Sequence, residues 1–467
     1  GGRPGHRRRH LALAPVGFAD GIRIGDGPVL WAACAAGILG ALYLLRPLGW
    51  NRAQLLRAAA AALAAVVLGG ALILGIHWFL VYAVSVFPDV LPPEVLAWSV
   101  PAVAALLLAL YRSWTLWRTR PRPARPWRAR PWPATAAAAA AFAGVLVLSA
   151  LQINAYFGLN RTVGDLTGAS VAGIPGLENA QKRQPGEPQP VDLSRWTPSG
   201  ALPATGLIRT ATIPGTVSGF RSRDAYVYLP PAYRASPRPA LPVLVLFSGQ
   251  PGRPADWLAG GALRSRMDRF AAAHGGVAPV VVVVDPNGTP AGNTLCMDTR
   301  IARADTFLAR DVPAWIRATL DVDPDPRKWA AGGFSFGATC AVQMVTRHPD
   351  IFSAALAFSS EQEPAIAKER RKTIEAAFGA DAAAFERQTP LRLMQERRFD
   401  GNAIYFAAGE RDPQFTKYMG VLSGTARSAG FAVKEEVMPG VGHSWLVAAR
   451  GLSAGLDFLA PRWEIGK

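Results

Sequence analysis

The chain has 467 residues, of which 50% are apolar, and it carries 50 Lys and Arg against 33 Asp and Glu, a formal net charge of +17. This composition excludes a disordered chain, and the length allows about two to four domains. The basic excess is concentrated in residues 1–152, which hold 15 Arg, no Lys and 4 acids. Because the long apolar runs lie in the same part of the chain, the charge indicates membrane topology and argues against a nucleic-acid partner. Three cysteines are too few for a disulfide scaffold and match no zinc pattern, so no metal or other cofactor is expected.

Four segments of the N-terminal third are long and apolar enough to cross a bilayer, namely residues 29–45, 58–84, 95–111 and 134–152. A spanning helix needs about 20 such residues, with roughly 17 as a lower limit. Buried helices of a soluble protein are the alternative. Four such runs in succession, with Arg-rich connections, favour a membrane domain over residues 1–152.

The charges of the loops predict the orientation of this domain. The loop between the third and fourth segments contains no acid and seven arginines, at positions 112, 118, 120, 122, 125, 128 and 130. The positive-inside rule places this loop in the cytoplasm. The loop between the second and third segments carries only two charged residues, Asp89 and Glu94, which agrees with an outer position. Arg7, Arg8 and Arg9 do not fit an extracytoplasmic N-terminus, but they lie far from the first span, where the rule is weak. We therefore expect a multi-pass plasma-membrane protein, with the lipid bilayer as a partner, whose N-terminus and C-terminal domain are extracytoplasmic.

The rest of the chain changes character twice. Residues 153–205 are rich in Gly, Pro, Asn and Gln, which is typical of an irregular extracytoplasmic linker. Residues 206–467 contain eight short β-branched segments, at 207–213, 224–229, 242–247, 279–285, 329–333, 354–358, 403–408 and 431–437. After the first two of these predicted strands, segments of helical length separate each strand from the next. This pattern predicts a mostly parallel sheet with helices on both faces.

Residues 333–337 read Gly-Phe-Ser-Phe-Gly and suggest a nucleophilic serine. The motif alone is weak evidence, but it follows a predicted strand and opens a segment of helical character. This is the order of a nucleophile elbow, in which a sharp strand-to-helix turn exposes the serine hydroxyl. Ser335 is therefore the candidate nucleophile.

A serine nucleophile needs an imidazole to take its proton and a carboxylate to orient that imidazole. His443 follows the last predicted strand, where the base belongs, whereas His348 ends the helix that begins at the elbow and is expected to be a structural cap. Asp412 follows the 403–408 strand and is the preferred acid. Glu410 remains the alternative acid, and Arg411 between them could pair with either carboxylate.

The oxyanion of a tetrahedral intermediate needs two backbone N–H donors. One is expected from Phe336, which follows the nucleophile, and the other from the loop after the third strand. In that loop Pro251 has no N–H, so Gln250 is the expected donor. A Gly-rich turn without a catalytic role is the alternative.

With these motifs in place, residues 206–460 resemble the putative-esterase family of α/β hydrolases, which includes the antigen 85 mycolyltransferases, feruloyl esterases and esterase D. The similar stretches are residues 306–316, the elbow, His348-Pro349 with Phe352, and His-Ser-Trp at 443–445. The resemblance implies an α/β-hydrolase fold and the triad Ser335, Asp412 and His443. The chain departs from the mycolyltransferases at 248–251, where Ser-Gly-Gln-Pro replaces Asp-Gly-Leu-Arg. The four preceding spans resemble a group of actinobacterial membrane esterases.

Two further features concern the surroundings of the elbow. Cys296 and Cys340 could form a disulfide, which an extracytoplasmic location permits and which would tether the segment before the fifth strand to the elbow helix; two separate thiols are the alternative. Residues 362–400 form an insertion between the sixth and seventh strands, and an insertion there is expected to cover the site.

These observations predict a membrane-anchored extracytoplasmic serine esterase or acyltransferase. Its expected substrates are ester-linked acyl groups of cell-envelope lipids or glycans, processed through an acyl-enzyme. Peptidases use the same triad. A hypothesis of another class is a non-catalytic binding or assembly platform coupled to the four-helix membrane module.

Overall fold

The computed structural model describes residues 21–85, 88–118, 132–184 and 191–466. Three features of the sequence analysis fall outside these ranges. They are Arg7 to Arg9, most of the Arg-rich loop between the third and fourth spans, and the proline-rich centre of the linker at 185–190.

Four long helices form the N-terminal part: α1 (Gly27–Leu45), α2 (Arg52–Trp78), α3 (Pro93–Arg118) and α4 (Trp132–Phe157). A π-helical turn, Phe79–Ala83, continues α2. All four are long and apolar enough to cross a membrane, as predicted. All four begin before the predicted apolar segments, and α3 and α4 also end after them. Helix α2 begins where the side chain of Asn51 accepts a hydrogen bond from the Gln54 N–H at 2.8 Å.

The four helices pack as a bundle in which α4 contacts α1 and α3, and α2 contacts α3. Small residues such as Ala138 and Ala141 are buried between the helices. Large apolar side chains, including Trp31, Leu39 and Leu63, point outward and are exposed. A bundle with a small-residue interior and an apolar exterior is suited to lipid, because lipid tails solvate apolar side chains and close helix packing holds the bundle together.

The C-terminal part contains one sheet of eight strands: β1 (Leu207–Ala211), β2 (Ala225–Leu229), β3 (Val243–Phe247), β4 (Val280–Val284), β5 (Trp329–Phe334), β6 (Ala354–Phe358), β7 (Ala403–Gly409) and β8 (Ala432–Met438). Their order across the sheet is β1-β2-β4-β3-β5-β6-β7-β8. The first two pairings in this order are antiparallel and all later ones are parallel. Every predicted strand is present, and β3 to β7 are fully buried, which explains their uninterrupted apolar sequence.

Short and long helices precede, connect and follow these strands: α5 (Val163–Thr167), α6 (Asp256–Ala259), α7 (Leu263–Ala273), α8 (Ala304–Thr306), α9 (Val312–Thr319), α10 (Phe336–Arg347), α11 (Arg370–Phe378), α12 (Ala382–Glu386), α13 (Pro390–Glu396), α14 (Pro413–Ser428) and α15 (Trp445–Leu459). Helices α10 and α14 pack against the sheet and α13 packs on both of them, while α15 packs against the sheet and α7. The mostly parallel α/β-hydrolase architecture is therefore confirmed.

The segment between the bundle and the sheet is more ordered than the sequence suggested. Helix α4 runs to Phe157, five residues into the predicted linker, and α5 starts with a capping box formed by Thr162 and Asp165. Leu159, Ile174 and Leu177 pack against the core of the α/β domain. Apolar contact with that core orders a segment whose composition alone indicated an irregular connection.

Candidate active site

Ser335 lies at the sharp turn between β5 and α10. Its backbone has φ 56° and ψ −122°, a conformation that is strained for a residue with a Cβ. The turn is held by a hydrogen bond from the Ser335 N–H to the carbonyl of Phe358 on β6, 2.8 Å long. These features are those of a nucleophile elbow, in which the strain points the hydroxyl away from the sheet.

The two glycines of the motif are required by close approach of backbone to backbone. A Cβ on Gly333 would lie 2.1 Å from the carbonyl carbon of Gly337. A Cβ on Gly337 would lie 2.4 Å from the carbonyl oxygen of Phe247, at the end of β3. The elbow can therefore be this tight only because neither position carries a side chain.

The structure brings Ser335, His443 and Asp412 together from three separate loops. Nε2 of His443 lies 2.9 Å from Oγ of Ser335, and Nδ1 of the same ring lies 2.8 Å from Oδ2 of Asp412. With a proton on Nδ1, the imidazole donates to the carboxylate and Nε2 is free to accept the serine proton. This arrangement can activate a hydroxyl for attack on a carbonyl carbon.

The imidazole is held between aromatic rings as well as hydrogen bonds. The rings of Phe415 and Phe334 have their centroids 4.2 and 5.0 Å from that of His443. Phe415 belongs to α14, which begins just after Asp412, and Phe334 precedes the serine. The packing restricts rotation of the His443 ring and limits the access of water to it.

The two candidate acids are placed differently. The Asp412 side chain is largely buried and accepts a hydrogen bond from His443, whereas the Glu410 side chain is turned away and accepts a 2.8 Å bond from the Gly440 N–H. Arg411 pairs with neither of them. Its guanidinium forms an ion pair with Glu94, at the start of α3, so neither of the two pairings that the sequence allowed is formed.

The two expected oxyanion donors are near the elbow. Phe336 is the first residue of α10, and its N–H has no acceptor among the described residues, because the first N–H groups of a helix have no carbonyl one turn before them. Gln250 lies in the loop after β3. This loop is fixed by Arg223, whose guanidinium donates to the Gly252 carbonyl at 2.8 Å and pairs with the buried Asp285 carboxylate.

The structure contains the Cys296–Cys340 disulfide, with a Cα–Cα distance of 5.5 Å. It joins the segment after β4 to α10, five residues beyond Ser335, and both cysteines are buried. At the other end of α10, Nε2 of His348 lies 3.0 Å from both carboxylate oxygens of Asp305. His348 is thus far from the serine and ends the helix, as the sequence indicated.

Two neighbouring carboxyl groups beside the elbow, the buried Glu361 and the half-buried Asp89, were missed at the sequence level. Glu361 follows β6 and accepts a 3.2 Å hydrogen bond from the Thr339 hydroxyl, and Asp89 reaches it from the loop between α2 and α3. Burial raises the pKa of Glu361 well above its usual value, and the nearby Asp89 carboxylate raises it further. Burial likewise raises the pKa of Asp89, against the opposing effects of His443 and of a hydrogen bond from Gln414.

The insertion 362–400 borders this carboxyl pair. Its helices α11 and α12 share a small apolar cluster with Leu295 and Met297. A cavity of about 270 Å³ lies between the insertion, Asp89 and Glu361, and Lys368, Thr373 and Tyr418 also line it. The sequence predicted that this insertion covers the active site, and this remains a prediction. Among the described residues, no group of three or more His, Cys, Asp or Glu side chains is arranged to hold a metal ion.

A second feature missed at the sequence level is the contact between the four-helix bundle and the His443 loop. The Tyr156 hydroxyl, at the end of α4, accepts a 3.3 Å hydrogen bond from the His443 N–H. The Ser444 hydroxyl donates to the Phe157 carbonyl at 3.1 Å. No sequence motif signals such contacts, because the partners are 287 residues apart.

Comparison with known proteins supports the family suggested by the motifs. Residues 220–445 match the family described as putative esterase. An uncharacterized protein of Corynebacterium glutamicum is 36% identical over 257 residues, which are 54% of this chain and 60% of that protein. The match thus spans less than two thirds of the relative's length. The expected resemblance to the putative-esterase family of α/β hydrolases is confirmed over the matching residues.

Solved structures with a similar fold include a ferulic acid esterase, with 20% identity, a TM-score of 0.47, and coverage of 56% of this chain and 99% of that one. An S-formylglutathione hydrolase from Agrobacterium tumefaciens has 18% identity, a TM-score of 0.47, and coverage of 57% and 100%. MPT51 of Mycobacterium tuberculosis has 17% identity, a TM-score of 0.44, and coverage of 55% and 98%.

Proposed function

We propose that this chain is a membrane-anchored, extracytoplasmic serine esterase or acyltransferase that uses Ser335, His443 and Asp412 as its catalytic triad. The observation that carries the proposal is the continuous series of contacts from Ser335 Oγ through the His443 ring to the Asp412 carboxylate, at the elbow of an α/β-hydrolase fold. The esterase-family match over residues 220–445 supports hydrolase chemistry.

The proposed reaction proceeds through an acyl-enzyme. Ser335 Oγ attacks the ester carbonyl carbon while its proton passes to Nε2 of His443, and the N–H groups of Phe336 and Gln250 hold the resulting oxyanion. The C–O bond to the alcohol then breaks, and His443 returns the proton to the leaving alcohol. Water or a sugar hydroxyl, deprotonated by His443, attacks the acyl-enzyme and releases the acid or the new ester.

The location of the site supports an acylated lipid or glycan of the cell envelope as substrate. Tyr156 and Phe157, which contact the His443 loop, are the last residues of a candidate membrane span. With residues 1–152 as the membrane domain, 153–205 as the linker and 206–467 as the hydrolase domain, the site lies next to the ends of the spans. The charges of the loops support a position of that side of the bilayer outside the cytoplasm.

The test is covalent labelling of the full-length, detergent-solubilised protein with a fluorophosphonate probe. We expect wild type to label and both Ser335→Ala and His443→Ala to fail. Ser359→Ala is the matched control, because Ser359 also follows a parallel strand, also has a positive φ, of 52°, and bonds by its N–H to the next strand, while its side chain is more deeply buried than that of Ser335. A folded wild type that does not label would favour the binding or assembly platform instead.

A further inference from the structure

The loop that carries His443 is attached to the membrane bundle at two consecutive residues. The His443 N–H donates to the Tyr156 hydroxyl at 3.3 Å, and the Ser444 hydroxyl donates to the Phe157 carbonyl at 3.1 Å. A Cβ on Gly442 would lie 2.6 Å from the Tyr156 hydroxyl oxygen. The loop therefore packs directly on the end of α4, and the residue before the histidine has to be small for this contact.

The segment that carries Asp412 is attached to the bundle at a different place. Arg411, immediately before Asp412, forms an ion pair with Glu94 in the first turn of α3. Gln414, two residues after Asp412, donates a side-chain hydrogen bond to Asp89 in the loop between α2 and α3. The carboxylate of Asp412 is thus flanked on both sides by contacts with the membrane module.

Ser335 differs from its two partners in this respect. The elbow is fixed within the α/β domain, by the hydrogen bond from its N–H to Phe358 and by the close packing of Gly333 and Gly337. Among the described residues, the bundle contacts the loops of His443 and Asp412 and contributes no hydrogen bond to Ser335. The relative placement of nucleophile and base therefore depends on how the α/β domain sits on the bundle.

We propose that the outer ends of the membrane helices are part of the catalytic apparatus, with Tyr156 as a positioning residue for His443 and the Glu94–Arg411 pair as a positioning contact for Asp412. This inference rests on the proposed function, because it assigns a role within the same triad. It gives the membrane module a part in the reaction beyond attachment to the bilayer. Tyr156 acts through the backbone of His443 and takes no part in the bond-making steps.

The first test removes one hydroxyl group from each end of the bundle. Tyr156→Phe deletes the acceptor of the His443 N–H bond, whereas Tyr43→Phe deletes a hydroxyl that donates to the Ala134 carbonyl at the same 3.3 Å distance, at the opposite end of the bundle. Both substitutions keep the ring. The readouts are kcat and KM for a short soluble p-nitrophenyl ester, the rate of fluorophosphonate labelling, and the melting temperature of the full-length protein in detergent.

We expect Tyr156→Phe to lower kcat and the labelling rate about fivefold with KM unchanged, a loss that corresponds to one hydrogen bond of ordinary strength. Tyr43→Phe should have wild-type kinetics. Wild-type kcat for Tyr156→Phe, or an equal loss in both variants, would overturn the role of Tyr156, because the hydroxyl would then matter only for the bundle as a whole.

The second test reverses the charges of the interdomain pair. Glu94→Arg and Arg411→Glu should each lower kcat, and the double variant should recover most of it, because the opposite charges face each other again. The control is the same exchange at Arg392 and Glu396, an exposed pair within α13. Failure of the double variant to recover, with its melting temperature restored, would show that the pair docks the two parts without positioning Asp412.

The outcomes separate this inference from the proposed function. If wild type does not react with the probe or hydrolyse the ester, the proposed function fails and the inference falls with it. If wild type is active, and if Tyr156→Phe and the charge-reversal variants are equally active, the proposed triad is retained. Only the role of the membrane module in positioning it is then overturned.

Discussion

The guanidinium of Arg411 pairs with the carboxylate of Glu94, although 317 residues separate the two in the chain. The sequence allowed Arg411 to pair with Asp412 or with Glu410. Because the bundle supplies the counter-charge instead, Asp412 is left to accept the hydrogen bond from His443. An arginine bound to Asp412 would compete with the imidazole for the same carboxylate.

This contact changes what can be concluded from one experiment, the replacement of the four spans by an unrelated membrane anchor. If the spans served only as an anchor, an enzyme would keep its function after the replacement, whereas an assembly platform would lose it. Tyr156, Asp89 and Glu94 all contact the loops of the candidate triad. Loss of activity after such a replacement is therefore expected for an enzyme too, and single substitutions are needed to separate the hypotheses.

The first prediction concerns the identity of the acid. Asp412→Asn should lower kcat by about 10⁴, because an amide favours the wrong tautomer of the imidazole. Glu410→Gln should change kcat by less than about threefold, since Glu410 is exposed and bonds to Gly440. The measurement is steady-state hydrolysis of a p-nitrophenyl ester. The reverse order of the two effects would make Glu410 the acid.

The second prediction concerns the elbow. Gly337→Ala should destabilise the protein by about 1–3 kcal/mol, because the new methyl group would overlap the Phe247 carbonyl oxygen and strand and helix must move apart. Gly420→Ala is the control. Gly420 is in α14 with open space around it, so alanine should stabilise by about 0.5–1 kcal/mol. Thermal unfolding in detergent measures both, and equal melting temperatures would contradict the tight elbow.

The third prediction concerns the disulfide. The Cys296→Ser, Cys340→Ser double variant should lose about 4 kcal/mol of stability, the loop-closure value for a sequence separation of 44. Cys34→Ser removes the free thiol of α1 and should leave the stability unchanged. Thermal unfolding with and without reductant gives the comparison. Equal sensitivity of wild type and the double variant to reductant would mean that the bond does not form.

The fourth prediction concerns pH. The raised pKa of Glu361 means that the folded state favours the protonated carboxyl, so its stabilising contribution is complete below the ordinary value of 4.5 and is lost as the pH rises through the raised folded value. The free energy of unfolding of wild type should therefore fall as the pH rises from 4.5 to the raised pKa of Glu361. Glu361→Gln keeps an acceptor for Thr339 and should weaken this loss of stability, leaving the part that comes from the raised pKa of Asp89.

Glu363→Gln provides the control for this titration. It removes a carboxylate from the same segment, one that forms an ion pair with Arg370 at the surface. Its melting temperature should follow that of wild type from acid to neutral pH. If Glu361→Gln follows wild type as closely, Glu361 is ionised in the folded protein and the burial effect has been offset by another group.

The sequence by itself determined the elements of this protein. The strand segments were visible because β3 to β7 are buried on both faces, and burial on both faces requires uninterrupted apolar residues. The four candidate spans were visible for a similar reason, since lipid demands long apolar runs. The elbow was recognisable because its two glycines are imposed by local backbone contacts. These features depend on neighbours in the chain or on the solvent around an element.

Only the tertiary structure decided how distant groups meet at the site. Asp412 and Glu410 follow the same strand, but the Glu410 side chain is held by the Gly440 N–H and the Asp412 side chain by His443, and a residue pattern encodes neither contact. The approach of Tyr156 to His443 and of Asp89 to Glu361 depends on the seating of the bundle against the α/β domain. Such contacts join residues far apart in the chain, so no local periodicity records them, and they became visible only when the two parts were seen packed together.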